Sequence, residues 1–114
     1  AMNIIKGESK NKQISFGNGA TLKTNSDYNG KVNVGLRPED FKVDENGPIK
    51  LKVELVELIG ANTLIHGKLE NSEEILVASI AGVVSESKIG KNIGLSFDES
   101  KLHLFDMNSD QRIN

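Results

Sequence analysis

Hydrophobic and polar residues alternate over short stretches of this chain, as they do in half-buried β-strands. Between residues 31 and 36, the side chains of Val32, Val34 and Leu36 fall on one face of an extended strand. The other face carries polar residues and a glycine. This segment is predicted to be a strand with one face in the core.

A longer alternating segment begins at Ile49 and changes phase near Val56. Up to Leu55 the odd-numbered positions are apolar, but Val56 and Leu58 are apolar as well, so the pattern slips by one residue. Because successive side chains point to opposite faces, such a slip predicts a β-bulge or a strand bent between two sheets. Bent strands are common where small barrels close, so the slip favours a barrel.

The rest of the chain contains more short strand patterns, separated by turn sequences. Strands are predicted at 2–6, 12–16, 21–23, 63–69, 75–80, 93–97 and 102–105. The turn sequences between them contain glycine or asparagine: Gly17-Asn18-Gly19, Asn29-Gly30, Asn46-Gly47-Pro48, Gly60-Ala61-Asn62 and Asn71-Ser72. Single helical turns are predicted at 38–40 and within 83–88. The pattern predicts an all-β, antiparallel, OB-fold-like small barrel with short helical turns only.

Composition excludes several functional classes. The 114 residues correspond to a single domain. The absence of cysteine excludes disulfides and thiolate chemistry, and is compatible with a reducing compartment. The formal net charge of −2 provides no general attraction for nucleic acid. Lys50 and Lys52 share a predicted strand face, but no aromatic residue alternates with them, so no nucleic-acid partner is predicted.

No catalytic or metal-binding pattern emerges from the residues. His66 and His103 are the only histidines, and neither has further ligands at metal-binding spacing, so both are interpreted as residues of polar strand faces. The adjacent carboxylates at 73–74 and 98–99 diverge in direction and are interpreted as solvated turn charges. The chain has no G-x-x-x-x-G-K-[ST] phosphate loop. Catalytic residues, cofactor-binding residues and metal ligands are therefore predicted to be absent.

Several motifs, in order, resemble one family. The segment Val34-Gly35-Leu36-Arg37-Pro38-Glu39 resembles the G-[IL]-R-P-E block of the ATP-binding subunits of ABC sugar importers of the maltose, oligosaccharide and glycerol-3-phosphate type. Residues 53–61 are similar to the V-E-x-x-E-x-[LI]-G strand of that family. Residues 93–98 and 102–106 are similar to its F-D-x-x-x-L-H-[LV]-F-D ending, and residues 1–3 to the P-A-M-N sequence that follows the ATPase domain.

The resemblance implies a transport-associated OB (TOBE) domain without its ATPase domain. It implies one domain over 1–114, alternatively described as two intertwined lobes, 1–47 with the C-terminal strand and 48–105. The domain is expected to be regulatory and to hold two copies of the subunit together at the cytoplasmic face of the membrane. Further expected partners are its own ATPase domain, the permease subunits and a regulatory protein. ATP and Mg²⁺ are expected to bind only to the ATPase domain.

The resemblance also selects residues expected to be structural or to lie in an interface: Gly35, Arg37, Pro38, Glu39, His103, Phe105 and Asp106. Arg37 is predicted to be extended before Pro38 and to pair with Glu39 or Asp40. Of Leu104 and Phe105, one is expected in the core and the other in an interface. An alternative function is an OB-like module that binds an oxyanion or a sugar, and a less favoured one is a nucleic-acid-binding OB-fold.

Two positions depart from the family pattern. Glu99 stands where the family often has proline, and Asp110 where the last hairpin often has glycine. Asp110 is expected to adopt the left-handed conformation that glycine would supply, because aspartate tolerates it better than most residues.

Overall fold

The computed structural model describes residues 2–114 and consists of β-strands joined by short connections. The strands are β1 (Asn3–Lys10), β2 (Gln13–Ser15), β3 (Thr21–Lys23), β4 (Gly30–Leu36), β5 (Lys42–Val43), β6 (Ile49–Ile59), β7 (Asn62–Leu69), β8 (Ile75–Ala81), β9 (Asn92–Ser96) and β10 (His103–Asp106). Single 3-10 turns lie at Pro38–Asp40, Glu86–Lys88 and Glu99–Lys101. The all-β prediction is confirmed.

The strands form two antiparallel sheets. The first sheet has the order β10-β4-β1-β2-β3 and the second the order β5-β9-β6-β7-β8. The last strand of the chain returns to the first sheet, where β10 pairs with β4. This arrangement is consistent with an OB-like fold. Among residues 2–114 no helix has the length and hydropathy needed to cross a bilayer.

The phase slip in β6 corresponds to a bulge. Pairing of β6 with β7 shifts register between Val53 and Leu55, which leaves Glu54 as the extra residue. Opposite the bulge, Gly67 lies so close to the backbone carbonyl of Lys52 that a Cβ atom would overlap it. Before the bulge β6 has one buried face, whereas after it most side chains are exposed. The bulge therefore marks where β6 leaves the core, while β7 beside it still buries Thr63 and Ile65 and pairs with β8 up to the β6–β7 turn.

Aliphatic side chains from both sheets form one continuous core. Val32, Val34 and Leu36 are fully buried, as the alternation predicts. Leu51 and Leu95 contribute from the second sheet, and Leu102 and Leu104 from the end of the chain. Phe41 is buried as well, with its ring edge-on to that of the partly buried Phe97 at a centroid separation of 6.3 Å. Burial of this apolar surface is the main stabilising contribution to the fold.

A buried asparagine joins the two sheets at β1 and β8. Asn3 in β1 is buried, and its Nδ2 donates to the carbonyls of Leu36 (3.1 Å) and Val77 (2.8 Å). Its Oδ1 accepts from the backbone N–H of Val77 at 2.8 Å. The amide thus pairs with Val77 as a neighbouring strand would, and it satisfies outward-facing backbone groups of β8.

Most local predictions agree with this structure, with a few differences. The helical turn predicted within 83–88 is confined to Glu86–Lys88, and the turn at Pro38–Asp40 is confirmed. The first strand is longer than predicted, and β5 was not predicted at all, since two residues carry no periodicity. Asp110 adopts φ 59°, the left-handed conformation that was expected of it.

Candidate functional site

Strand pairing brings several motif residues together on the outer face of the first sheet. His103 lies opposite Gly35, and Phe105 lies opposite Asn33. The imidazole and phenyl rings stack, with centroids 6.4 Å apart and planes within 7° of parallel. Leu104, between them in sequence, points the other way and is fully buried. Of the two residues considered for the core, Leu104 occupies it, and Phe105 lies on the surface face.

Gly35 lies in a crowded neighbourhood. A Cβ atom there would overlap the sulfur of Met2, and it would lie 3.2 Å from the ring of Phe105 and 3.3 Å from Cβ of His103. Glycine thus allows Met2 to cover β4 beside the stacked rings. Ile4, on the same face of the neighbouring strand, is 45% exposed. The result is a small apolar and aromatic surface around Gly35.

Arg37, Pro38 and Glu39 form the turn that follows β4. Arg37 is extended, with φ −78° and ψ 146°, and Pro38 takes the first position of the 3-10 turn, as predicted. The predicted ion pair of Arg37 with Glu39 or Asp40 is absent from the part of the chain that the structure describes. Since the guanidinium has no carboxylate partner within ion-pair distance, its charge acts at longer range.

That longer-range charge acts on His103. Partial burial lowers the pKa of His103, and the positive charges of Arg112 and Arg37 lower it further, against a weaker opposing effect of Asp40. The imidazole is therefore biased towards its neutral form by the two arginines, and Lys6, which pairs with Asn33, adds a further positive charge on the same face.

Asp106 is separated from this group. It ends β10 and begins the last turn, where its Oδ1 accepts from the backbone N–H of Asn108 at 3.0 Å. The same carboxylate lies beside Tyr28: burial raises the pKa of Tyr28, and the charge of Asp106 and a hydrogen bond to it raise that pKa further. Asp106 therefore belongs to the turn that follows β10.

The second histidine lies in β7, opposite Leu55 of β6. Nε2 of His66 lies 2.7 Å from Oε1 of Glu57 across the β6–β7 pair, and both side chains are partly exposed. Within residues 2–114 no group of three or more His, Cys, Asp or Glu side chains is arranged to hold a metal ion.

A groove of about 730 Å³ lies between β5 and the connection that follows β8. Its apolar walls come from Val43, Val83, Val84 and Ile93. Lys50 lines it too, but its Nζ donates to the carbonyl of Glu45 at 2.6 Å. Lys88, Glu45 and Glu70 line it as well, so charges of both signs surround the apolar walls.

Glu99 orders a distant loop, a role that no pattern in the sequence predicts. Glu99 opens a 3-10 turn, and its carboxylate accepts from Thr24 Oγ1 (3.3 Å) and from the backbone N–H (3.1 Å) and side-chain amide (3.2 Å) of Asn25. Adjacent Asp98 caps the same turn by accepting from the N–H of Ser100. Instead of two solvated charges, this pair forms a turn and an anchor for the loop after β3.

Comparisons with known proteins agree on one kind of relative. The family model described as "TOBE domain" matches residues 34–105. The protein named sn-glycerol-3-phosphate import ATP-binding protein UgpC from Ruegeria pomeroyi is 36% identical over 113 residues, covering 99% of this chain and 32% of its own length. Proteins of the same name from Psychromonas ingrahamii and Escherichia coli are 33% and 31% identical over 121 residues. The chain thus spans about a third of the length of the curated relatives it matches.

Proposed function

Because this chain belongs to the TOBE domain family, we propose that it is the regulatory and dimerisation domain of the ATP-binding subunit of an ABC-type sugar importer. The observation that carries the proposal is the match of 99% of the chain to import ATP-binding proteins. The family model covers the strands from β4 to β10. Those relatives are about three times as long as the chain, which leaves room for a separate ATP-binding part in the parent protein.

In this proposal the chain has no catalytic role and no cofactor of its own. ATP and Mg²⁺ bind to the remaining part of the parent subunit. The partners of the chain are a second copy of the same subunit, its own ATP-binding domain and, through that domain, the permease subunits. A regulatory protein is a further proposed partner, and the complex lies at the cytoplasmic face of the membrane. The transported compound is proposed to be a sugar or, as in the names of the relatives, sn-glycerol-3-phosphate.

A chimeric protein tests the proposal directly. The corresponding third of the Ruegeria pomeroyi relative is replaced by this chain, and the chimera is expressed in cells that lack their own sn-glycerol-3-phosphate import ATP-binding protein. We expect uptake of sn-glycerol-3-phosphate well above that of cells expressing the relative truncated before this domain. A chimera that hydrolyses ATP and reaches the membrane, yet transports no better than the truncated protein, would contradict the importer assignment.

The non-catalytic part of the proposal has its own test. The purified 114-residue chain is expected to show no ATP hydrolysis above the buffer rate, and turnover by the pure chain would contradict it.

A further inference from the structure

A cleft runs along the free edge of the first sheet, beside β3. Two adjoining grooves, of about 510 Å³ and about 420 Å³, form it. Gln13, Lys23 and Glu99 line both grooves, so the two are continuous. We call this region the β3 cleft. Its volume is in the range of sites that take a small molecule.

The backbone of β3 directs hydrogen-bonding groups into the β3 cleft. The N–H of Thr24 donates to the carbonyl of Lys12 at 3.0 Å, which fixes the phase of the pairing between β2 and β3. Because backbone groups along an antiparallel strand alternate in direction, the N–H and C=O groups of Thr21 and Lys23 point away from β2. Both residues line the cleft. The sheet therefore holds two donors and two acceptors at this edge.

Side chains with defined positions add to this polar lining. The carboxylate of Glu99 accepts from the side-chain amide of Asn25 at 3.2 Å and from the buried hydroxyl of Thr24 at 3.3 Å. Gln13, which lies opposite Lys23 in the β2–β3 pair, contributes a second amide at the surface. A site that is ordered before binding loses less entropy when a ligand arrives.

One wall of the β3 cleft is apolar. It is formed by Leu22, Pro48 and Phe97. The ring of Phe97 lies edge-on to the buried ring of Phe41, which fixes its position. Carbon-bound hydrogens of a ligand can pack against this wall while polar groups of the same ligand reach the donors and acceptors described above.

The charges around the β3 cleft balance one another. Lys12 pairs with Asp27 at 3.4 Å, and the other charged residues that line the grooves are Lys23 and Glu99, which have opposite signs. An oxyanion would meet the carboxylate of Glu99 in either groove, and a cation would meet the ammonium of Lys23. Like charges placed together oppose binding, so the lining favours a neutral ligand.

We propose that the β3 cleft binds a small neutral polyhydroxyl compound, namely a sugar. Each hydroxyl group both donates and accepts a hydrogen bond, which matches a lining in which donors and acceptors are mixed. The carbon face of a sugar ring suits the wall formed by Phe97 and Pro48. The β3 cleft is separate from the ATP-binding part of the parent subunit, and the proposal does not rest on the importer assignment.

NMR titration of the isotope-labelled chain tests the proposal, with glucose and the disaccharide maltose as probes. We expect the backbone amide signals of Thr21 and Lys23 and the side-chain amide signals of Gln13 and Asn25 to shift and to saturate. A few hydrogen bonds at an open site give weak binding, so the expected dissociation constant is about 1–20 mM. Maltose is expected to bind more tightly than glucose, because two rings can occupy both grooves.

Two variants and a matched control locate the binding. Gln13→Ala should weaken maltose binding at least about 3-fold, because an amide that bonds the sugar is lost. Lys23→Ala removes the neighbouring ammonium and should weaken binding to a similar degree. Gln111→Ala is the control: Gln111 is the only other glutamine and is also exposed, but it lies outside the β3 cleft, so this variant should bind like the original chain.

The remaining outcomes count against a sugar site. Inorganic phosphate that shifts the same signals, while neither sugar does, would assign the β3 cleft to an oxyanion. Sugar-induced shifts confined to other parts of the chain, or an affinity unchanged in both Gln13→Ala and Lys23→Ala, would also overturn the proposal, as would the absence of any saturable shift. Uptake by the chimera is a separate measurement, so failure of sugar binding leaves the importer assignment untouched.

Discussion

Single side chains decide which groups reach the outer face of the first sheet. Gly35 leaves space for Met2, and the pairing of β10 with β4 places the stacked rings of His103 and Phe105 beside it. The sequence places His103 and Phe105 on one face of a strand. It does not reveal that Gly35, which is 68 positions earlier than His103, lies opposite, because the register of distant strands leaves no periodic signal.

At the same scale, the environment of His103 leads to a prediction about its titration. Burial and the two arginines lower its pKa, so NMR titration is expected to place it below 6.5. Arg112→Gln is expected to raise this pKa, because one of the positive charges that oppose protonation is removed. His66→Asn identifies the signal. A measured pKa at or above 6.5 would contradict the prediction.

The sign of the effect on stability follows from linkage. The pKa of His103 is lower in the folded chain than its reference value of 6.5, so protonation favours the unfolded state. The stabilisation of the folded chain by the neutral imidazole is complete above pH 6.5. It is lost as the pH falls towards the lower pKa that His103 has in the folded chain. His103→Asn should therefore reduce the loss of thermal stability in that interval.

At the scale of elements, the strand patterns explain most of the fold, because alternation records directly which face is buried. The bulge in β6 was predictable since it breaks that alternation. The role of Asn3 was not predictable, because a polar residue near the start of a strand normally indicates a solvent-facing position. Likewise β5 is held only by pairing with β9, so its two residues give no local signal.

The contact of Asn3 with β8 leads to a prediction at this scale. Asn3→Ala removes both donors and the acceptor, and leaves the N–H and carbonyl of Val77 without partners at the junction of the sheets. We expect the free energy of unfolding to fall by about 2–3 kcal/mol, measured by urea denaturation.

Asn92→Ala is the control for this prediction. Its amide donates to the exposed carboxylate of Glu70 at 3.1 Å, and its loss should change the free energy of unfolding by no more than about 0.5 kcal/mol. If the Asn3 and Asn92 variants were equally stable, the proposed joining role of Asn3 would be wrong.

At the scale of the whole molecule, the two sheets share one core although they come from different parts of the chain. The buried cluster includes Ile5 and Ile14 of the first sheet together with Leu51 and Leu76 of the second. The chain crosses from the first sheet to the second after β4 and returns in β10. Neither sheet can therefore unfold without exposing apolar side chains of the other.

This shared core predicts a single cooperative unfolding transition. Tyr28 is the only tyrosine, and there is no tryptophan, so fluorescence reports on the surroundings of Tyr28 next to β4, whereas far-ultraviolet circular dichroism reports on both sheets. We expect the two signals to have the same urea midpoint and the same slope. If the two lobes were independent, the tyrosine signal would change at a different urea concentration from the circular dichroism.

Core variants, one in each sheet, provide the stricter comparison. Val34→Ala and Leu51→Ala should each shift both signals together, because each removes packing from the same core.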